Sequence, residues 1–339
     1  MHAIIIGLDI AKSVFQVHVA DRSGRVLRQK RLRRSQVEAF FARQPRALVG
    51  IEACGSAHFW GRKLGALGHE VRLIPAAFVR PFVKRNKNDA RDAEAICEAL
   101  SRASMRFVPV KSEAQQAARS LERAIELLIK QRTQLRNSVR SLLAEFGVIR
   151  PQGERGFAEL AALLGEAETS LPELLREALR PLVAQSERLS AEIAVLEKRI
   201  RTIAAGDPLM RLLTSIPGIG PITAHAVVTA IGDGRQFASA RAFAAWCGLT
   251  PREHSSAGKR RDKGISRQGE MRLRKLFALG ASTLIRNARR SERYASPWQR
   301  GILARRPVKV AVLAQAAKTA RVAWAILTSG ECYRRPTEA

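Results

Sequence analysis

The sequence predicts an α/β domain, then a helical segment, then a mostly α domain, and three observations carry that reading. Five short β-rich runs alternate with turns and helical stretches as far as Ile74. Two heptad-like apolar series follow, over residues 121–146 and 182–203. From about Leu209 the chain is helical with glycine-rich interruptions. The domain boundaries drawn on this basis are 1–107, 108–205 and 206–339.

Taken in order, AIIIGLD, VFQVHVAD and, after the turn at Ser23-Gly24, VLRQKRL read as a three-strand meander. A helical stretch from about Ser35 leads to ALVGIE, and a helix from about Ser56 leads to EVRLI. A meander followed by strands alternating with helices implies a mixed sheet covered by helices. A long helix begins near Ser112, with Leu121, Ile125, Leu128, Leu135, Val139, Leu142 and Phe146 at steps of three and four once Arg132 takes an interior slot. Gly147 stops it. The second series, Leu182, Leu189, Ile193, Leu196, Ile200 and Ile203, runs toward Pro208. Joined by a Pro- and Gly-containing stretch, the two helices read as an antiparallel hairpin within one chain or as a dimerising stalk.

Charge selects the class of partner. The 339 residues carry 59 Lys and Arg against 30 Asp and Glu, a net +29 spread along the chain, which any large polyanion would feel. Nucleic acid is the expected partner. No uninterrupted apolar run approaches the length of a membrane span, and the N-terminal MHAIIIGLDIAKS lacks the basic start and cleavage site of a secretory signal, so a cytoplasmic, nucleoid-associated protein is expected. Cys54, Cys97, Cys247 and Cys332 are far apart and signal neither a zinc site nor a disulfide framework. With aromatics at 5%, base stacking capacity is small and contacts should fall mainly on phosphates.

Three constellations carry chemistry. Asp9 ends the first strand, Glu52 ends a later one, and Asp89 and Asp92 stand three apart at the start of DARDAEAICEAL, on one helix face. Four carboxylates converging at a sheet edge repel one another unless cations bind; Mg2+ is the natural occupant, and two ions about 4 Å apart would stabilise both oxygens of a phosphodiester displacement. Each acid alone has a plainer reading, as a turn or cap residue. KRNKND, just before Asp89, supplies cations able to lead a phosphate backbone in, or is simply a solvated loop.

The second constellation is IPGIGPITAHAVVTAIGD, where the turn containing Gly218 and Gly220 enters a helix and leaves backbone N–H groups free for a phosphate; the alternative is a tight turn between packed helices. The third spans 248–277, where Ser255 and Ser256 precede eight Lys or Arg between Lys259 and Lys275, against Asp262 and Glu270. A serine among cations such as Lys259, Arg260, Arg261, Lys263, Arg267 and Arg272 is placed to attack a phosphate, because they neutralise the charge that builds during attack. The same loop also reads as a plain phosphate-binding surface, and His254 as a general base or an idle surface histidine.

As an ordered set, LDIAK, GIEACG, KNDARDA, SIPGIGPITA, FAAWCGLTPREHSSAGK and ISRQGEMRLRKL resemble the insertion-sequence transposase family numbered one hundred and ten, kin of the Piv invertases, from the first strand to about residue 330. The resemblance implies an N-terminal RuvC-like domain of ribonuclease H fold, a coiled-coil segment and a C-terminal transposase domain. It implies a magnesium-binding DEDD tetrad at Asp9, Glu52, Asp89 and Asp92, and a serine that becomes covalently linked to DNA, matching Ser256. Where the family commonly has Ser-Gly this chain has Ser256-Ala257-Gly258, which leaves Ser255 or Ser256 as the attacker. Donor and target DNA, a structured noncoding guide RNA and a homo-oligomer, dimer or tetramer, are the partners so implied. The enzyme alternative is a RuvC-like junction endonuclease using metal-activated water, and the non-enzyme alternative is a nucleic-acid-binding protein that has lost its metals.

Overall fold

Alternation of apolar residues decides how the N-terminal sheet is sandwiched. In a computed structural model of the protein, which describes residues 4–83, 89–166, 170–253 and 262–334, the chain divides into two units, Met1–Gln116 and Ala117–Ala339. The first holds strands β1 (Ile4–Ile10), β2 (Val14–Asp21), β3 (Val26–Arg33), β4 (Leu48–Glu52) and β5 (Glu70–Ile74). Its helices are α1 (Val37–Ala42), α2 (Ala57–Ala66), the single turn α3 (Ala76–Val79) and α4 (Asp89–Leu100). All five strands lie where the sequence pattern puts them.

The sheet order is β3-β2-β1-β4-β5; β1 pairs antiparallel with β2 and β2 with β3, while β4 lies parallel to both β1 and β5. Ile6, Leu8 and Ile10 point to one face, where they pack with Phe15, Phe41, Trp60 and Leu64 of β2, α1 and α2. Each fully buried side chain of this size contributes about 1.5–3 kcal/mol. Ile5 and Gly7 lie on the opposite face, beneath α4, whose Ile96, Ala99 and Leu100 are buried. β3 is an edge strand with only Leu32 buried, and its charged residues keep that edge solvated.

The second unit contains most of α5 (Glu113–Ala144), then α6 (Glu154–Gly165), α7 (Glu173–Gly206), α8 (Pro208–Thr214), α9 (Pro221–Ile231) and α10 (Ala240–Trp246). The short strands β6 (Pro251–Glu253) and β7 (Asp262–Ile265) pair antiparallel, and α11 (Met271–Arg290), α12 (Pro297–Arg305) and α13 (Val308–Ser329) complete it. Within the chain α5 and α7 run antiparallel: Arg132 reaches Ser190 while Arg136 reaches Ser186, and Ile125 shares a cluster with Ile193 and Ile200.

The heptad expectation fails at one end of α5. Leu142 and Phe146 are 45% and 48% exposed, and Leu143 is buried instead. The cause is a second partner: Phe157, Leu160 and Leu164 of α6 pack on Val139 and Leu143 and rotate the buried stripe away from the seam extrapolated from Leu121.

By length and composition α13 is apolar enough to cross a membrane, although charged letters break its run. It packs instead against α10 and α11, burying Ala311, Ala316, Ala320 and Ala323, and its buried Gln315 accepts from Gln299 and donates to Thr319. This is a core helix of the second unit.

Candidate active site

Register brings the first two acids together. β1 and β4 are parallel with Leu8 opposite Ile51, so the next pair is Asp9 and Glu52, side by side at the strand ends with backbones on the order of 5 Å apart. Both lie on the face that carries Gly7 and Gly50, and both are half-buried. α4 crosses that same face at very close range. A Cβ on Gly7 would stand 2.1 Å from the Ala93 carbonyl oxygen, and one on Gly50 would stand 2.9 Å from the Leu100 side chain. No side chain larger than hydrogen fits at Gly7.

Helix direction sets where α4 begins. Cys97 lies over Ile5 and Gly7, and Ala93 over Gly7, so α4 runs opposite to β1 and its first turn lies toward Asp9. One turn back from Ile96 is Asp92, and the helix starts at Asp89. Asp92 is half-buried; the side chain of Asp89 lies outside the described residues. Among the described residues, no group of three or more His, Cys, Asp or Glu side chains is close enough to hold a metal ion.

A chemical probe of the local field is built into the site. Burial first, and then the charges of Glu52 and Asp9, push the Cys54 thiol above its ordinary pKa. Two adjacent carboxylates make this edge negative, and oxygen donors of that kind fit a hard divalent cation. Cys54 was not singled out in the sequence; its place two residues beyond Glu52 was the available signal.

In the second unit, Gly218 has a positive φ of 86°, and the turn ahead of α9 sits on α11. A Cβ on Gly280 would meet the Gly218 carbonyl oxygen at 2.0 Å, which is the close packing the tight-turn reading anticipated. Gly220 is exposed with open space around it, so the N-terminus of α9 is also accessible. The expected serine loop joins β6 to β7. His254, Ser255, Ser256, Lys259, Arg260 and Arg261 lie outside the described residues, as does the side chain of Lys263. Its root is tied down: Ser266 N–H donates to Thr250, Glu270 N–H to Trp246, and Arg274 to Cys247 and Gln268 carbonyls.

The two remaining cations divide. Arg267 is exposed, with a positive φ of 57°. Arg272 is spent internally. Its Nη1 stands 2.7 Å from Glu126 Oε1 and its Nε 3.0 Å from Glu122 Oε2, and only 13% of its side chain is exposed, so most of its charge is taken up within the unit. Glu122 is itself 1% exposed; its Oε1 also accepts from His225 Nδ1 and Thr229 Oγ1, both at 2.7 Å. Sequence reading missed this network, whose signal was a lone acid beside Leu121 on an apolar stripe and a lone histidine in apolar α9.

A mixed α/β sheet with acids gathered at the ends of two parallel strands, joined to a helical unit with a cationic segment, defines a class of proteins that act on phosphodiesters. Comparison with known proteins narrows it. A DEDD transposase model of IS110 type matches residues 6–147, and a second model, described as transposase IS116/IS110/IS902 family, matches residues 210–295. A probable family 20 transposase from Pseudomonas aeruginosa is 47% identical over 97% of this chain and 98% of its own length. The transposase for insertion sequence element IS1328 from Yersinia enterocolitica is 39% identical over 98% of each chain. A pilin gene-inverting protein from Moraxella bovis is 45% identical over 64 residues, 18% of this chain and 20% of its own. This chain belongs to the IS110/IS116/IS902 family of insertion-sequence transposases, enzymes that act on DNA.

Proposed function

We propose that this transposase cuts and rejoins DNA at a magnesium site formed by Asp9, Glu52, Asp89 and Asp92, with Ser256 as the attacking nucleophile. The observation that carries the reading is the β1–β4 register, which sets Asp9 next to Glu52 under the helix that bears the other two acids. The sheet order β3-β2-β1-β4-β5 supports a RuvC-like, ribonuclease H-type assignment for residues 1–107. The antiparallel α5–α7 pair supports a coiled-coil segment over 108–205, followed by a transposase domain over 206–339.

Asp9, Glu52, Asp89 and Asp92 would hold divalent cations, which would supply charge neutralisation for the scissile phosphate. The Ser256 Oγ forms a bond to phosphorus as the bond to one DNA oxygen breaks; the serine gives its proton to solvent, and the displaced oxygen takes one from solvent to leave as a hydroxyl end. Reversal by a second strand's hydroxyl restores the serine and rejoins DNA without ATP, since the ester conserves the bond energy. Lys259, Arg260, Arg261, Lys263 and Arg267 neutralise the charge of the pentavalent state. The tetrad and the serine come from different parts of the chain, which favours a homo-oligomer that shares its sites. The +29 charge suits a ribonucleoprotein in which a structured noncoding RNA chooses the donor and target sequences by pairing.

The test is a trapping experiment. Wild-type protein incubated with element-end DNA and Mg2+ is expected to give a covalent protein–DNA adduct on denaturing gels, lost in both Ser256→Ala and Asp9→Asn. Cleavage by Ser256→Ala at the wild-type rate, with no adduct formed, would mean that water attacks.

A further inference from the structure

A second site lies at the same end of the sheet, on the opposite face from the acids. Immediately after Asp9 and Ile10 the chain turns through Lys12 and Ser13, and the Ser13 carbonyl accepts the Arg34 N–H at 2.9 Å. Between this turn, the end of β3 and the first turns of α2 is an open cleft of about 710 Å³, lined by Lys12, Arg33, Arg34, Phe59 and Trp60. The Arg34 guanidinium lies 5.3 Å from the Trp60 ring centre and 5.8 Å from that of Phe15. Trp60 is buried and its indole N–H has no acceptor among the described residues. Phe59, edge-on to Trp60 at 5.3 Å, stands at the rim and is 40% exposed.

The charge balance selects the ligand. The acid of the cleft, Glu38, is neutralised by Lys63 at 2.7 Å, and among the described residues no acid pairs with Lys12, Arg33 or Arg34. Three cations beside an exposed ring match a phosphate next to an unpaired base: the cations take the backbone, and the ring offers a stacking face. On the cleft side of the exposed edge strand, the face that buries Leu32, Lys30 and Arg28 extend the cationic row, which suits a polymer rather than a free nucleotide. A paired duplex keeps its base faces covered and has no use for Phe59.

We propose that this cleft binds an unpaired stretch of the DNA substrate, stacking one base on Phe59 and holding its flanking phosphates on Lys12, Arg33 and Arg34. The inference rests on the reading that phosphate chemistry occurs at Asp9 and Glu52. The acids and the cleft both lie at the end of the sheet where β1 stops, and only Ala11 separates Ile10 from the Lys12-Ser13 turn. The site would keep the two strands of an opened duplex apart while one of them is cut.

Single-strand binding is measured on the full chain with metal chelated, using a short fluorescent DNA oligonucleotide carrying one 2-aminopurine, beside its duplex and the RNA of the same sequence. Phe59→Ala is expected to weaken single-stranded DNA binding roughly fivefold or more and to abolish 2-aminopurine quenching, while leaving duplex binding unchanged. Phe59→Tyr restores both, and Arg33→Gln weakens single-strand affinity while keeping the quenching of what binds. Equal loss on single strand and duplex, no loss at all, or Phe59-dependent binding of RNA but not DNA would overturn the proposal. Asp9→Asn separates the two readings: it leaves this metal-free binding intact and removes cleavage, so a failure at Phe59 leaves the tetrad untouched, and a failure at the tetrad leaves the cleft untouched.

Discussion

Glu122 shows what one residue decides in the second unit. Its carboxylate is almost wholly buried and joins three helices: α5, which carries it, α9 through His225 and Thr229, and the first turn of α11 through Arg272. Removing it leaves Arg272 with Glu126 alone and takes the shared acceptor from buried His225 and Thr229, at a cost of about 1–3 kcal/mol for each buried polar group left unpaired. Glu122→Ala is therefore expected to lower unfolding free energy by about that amount in urea titration, and the double variant Glu122→Leu with Arg272→Leu to recover much of it. Equal stability of wild type and Glu122→Ala would mean that the network carries no weight. Little of this was legible in the sequence beyond an acid and a histidine on apolar stripes, because an acid in a helix reads as solvent-facing until a histidine more than a hundred positions away is folded against it. Arg272 was read as a phosphate ligand for the same reason: sequence counts charges but does not say which are already neutralised at home.

At the scale of elements, the pattern was readable wherever one face of an element has one partner. The strands and the glycine stop at Gly147 follow local rules, and the strand ends suggested one edge for Asp9 and Glu52, but the parallel β1–β4 pairing that sets them side by side was not legible. The α5 stripe was misread at Leu142 and Phe146 because α6 supplies a second partner there. The α9 turn tests the distinction between packing and binding. Gly280→Ala would put a carbon 2.0 Å from the Gly218 carbonyl oxygen, forcing the turn off α11 at about 1–3 kcal/mol. Gly220→Ala meets open space and should leave the melting temperature nearly unchanged. If the exposed N–H groups of this turn hold a phosphate, Gly220→Ala lowers duplex affinity in anisotropy titrations without loss of stability, while Gly280→Ala lowers both. Wild-type affinity in Gly220→Ala would reduce the turn to a packing device.

For the whole molecule, the decisive quantity is the +29 charge and how much of it is free. Part is consumed internally, as at Arg272, Arg119 with Glu270 and Arg136 with Glu154, and those cations cannot release counterions from DNA. Exposed cations such as Arg267 can. Binding that neutralises phosphates weakens with salt, the logarithm of affinity falling by roughly 0.9 per phosphate for each decade of salt. Affinity for a fixed duplex, measured by titration from about 50 to about 200 mM salt, is thus expected to fall steeply, by several such units in slope. Arg267→Gln should make that slope shallower by about 0.9, whereas Arg272→Gln should leave it unchanged and lower stability instead. A shallower slope for Arg272→Gln would mean that the ion pair with Glu122 opens to engage DNA, and the second unit would then have to rearrange around α5 each time the enzyme takes up its substrate.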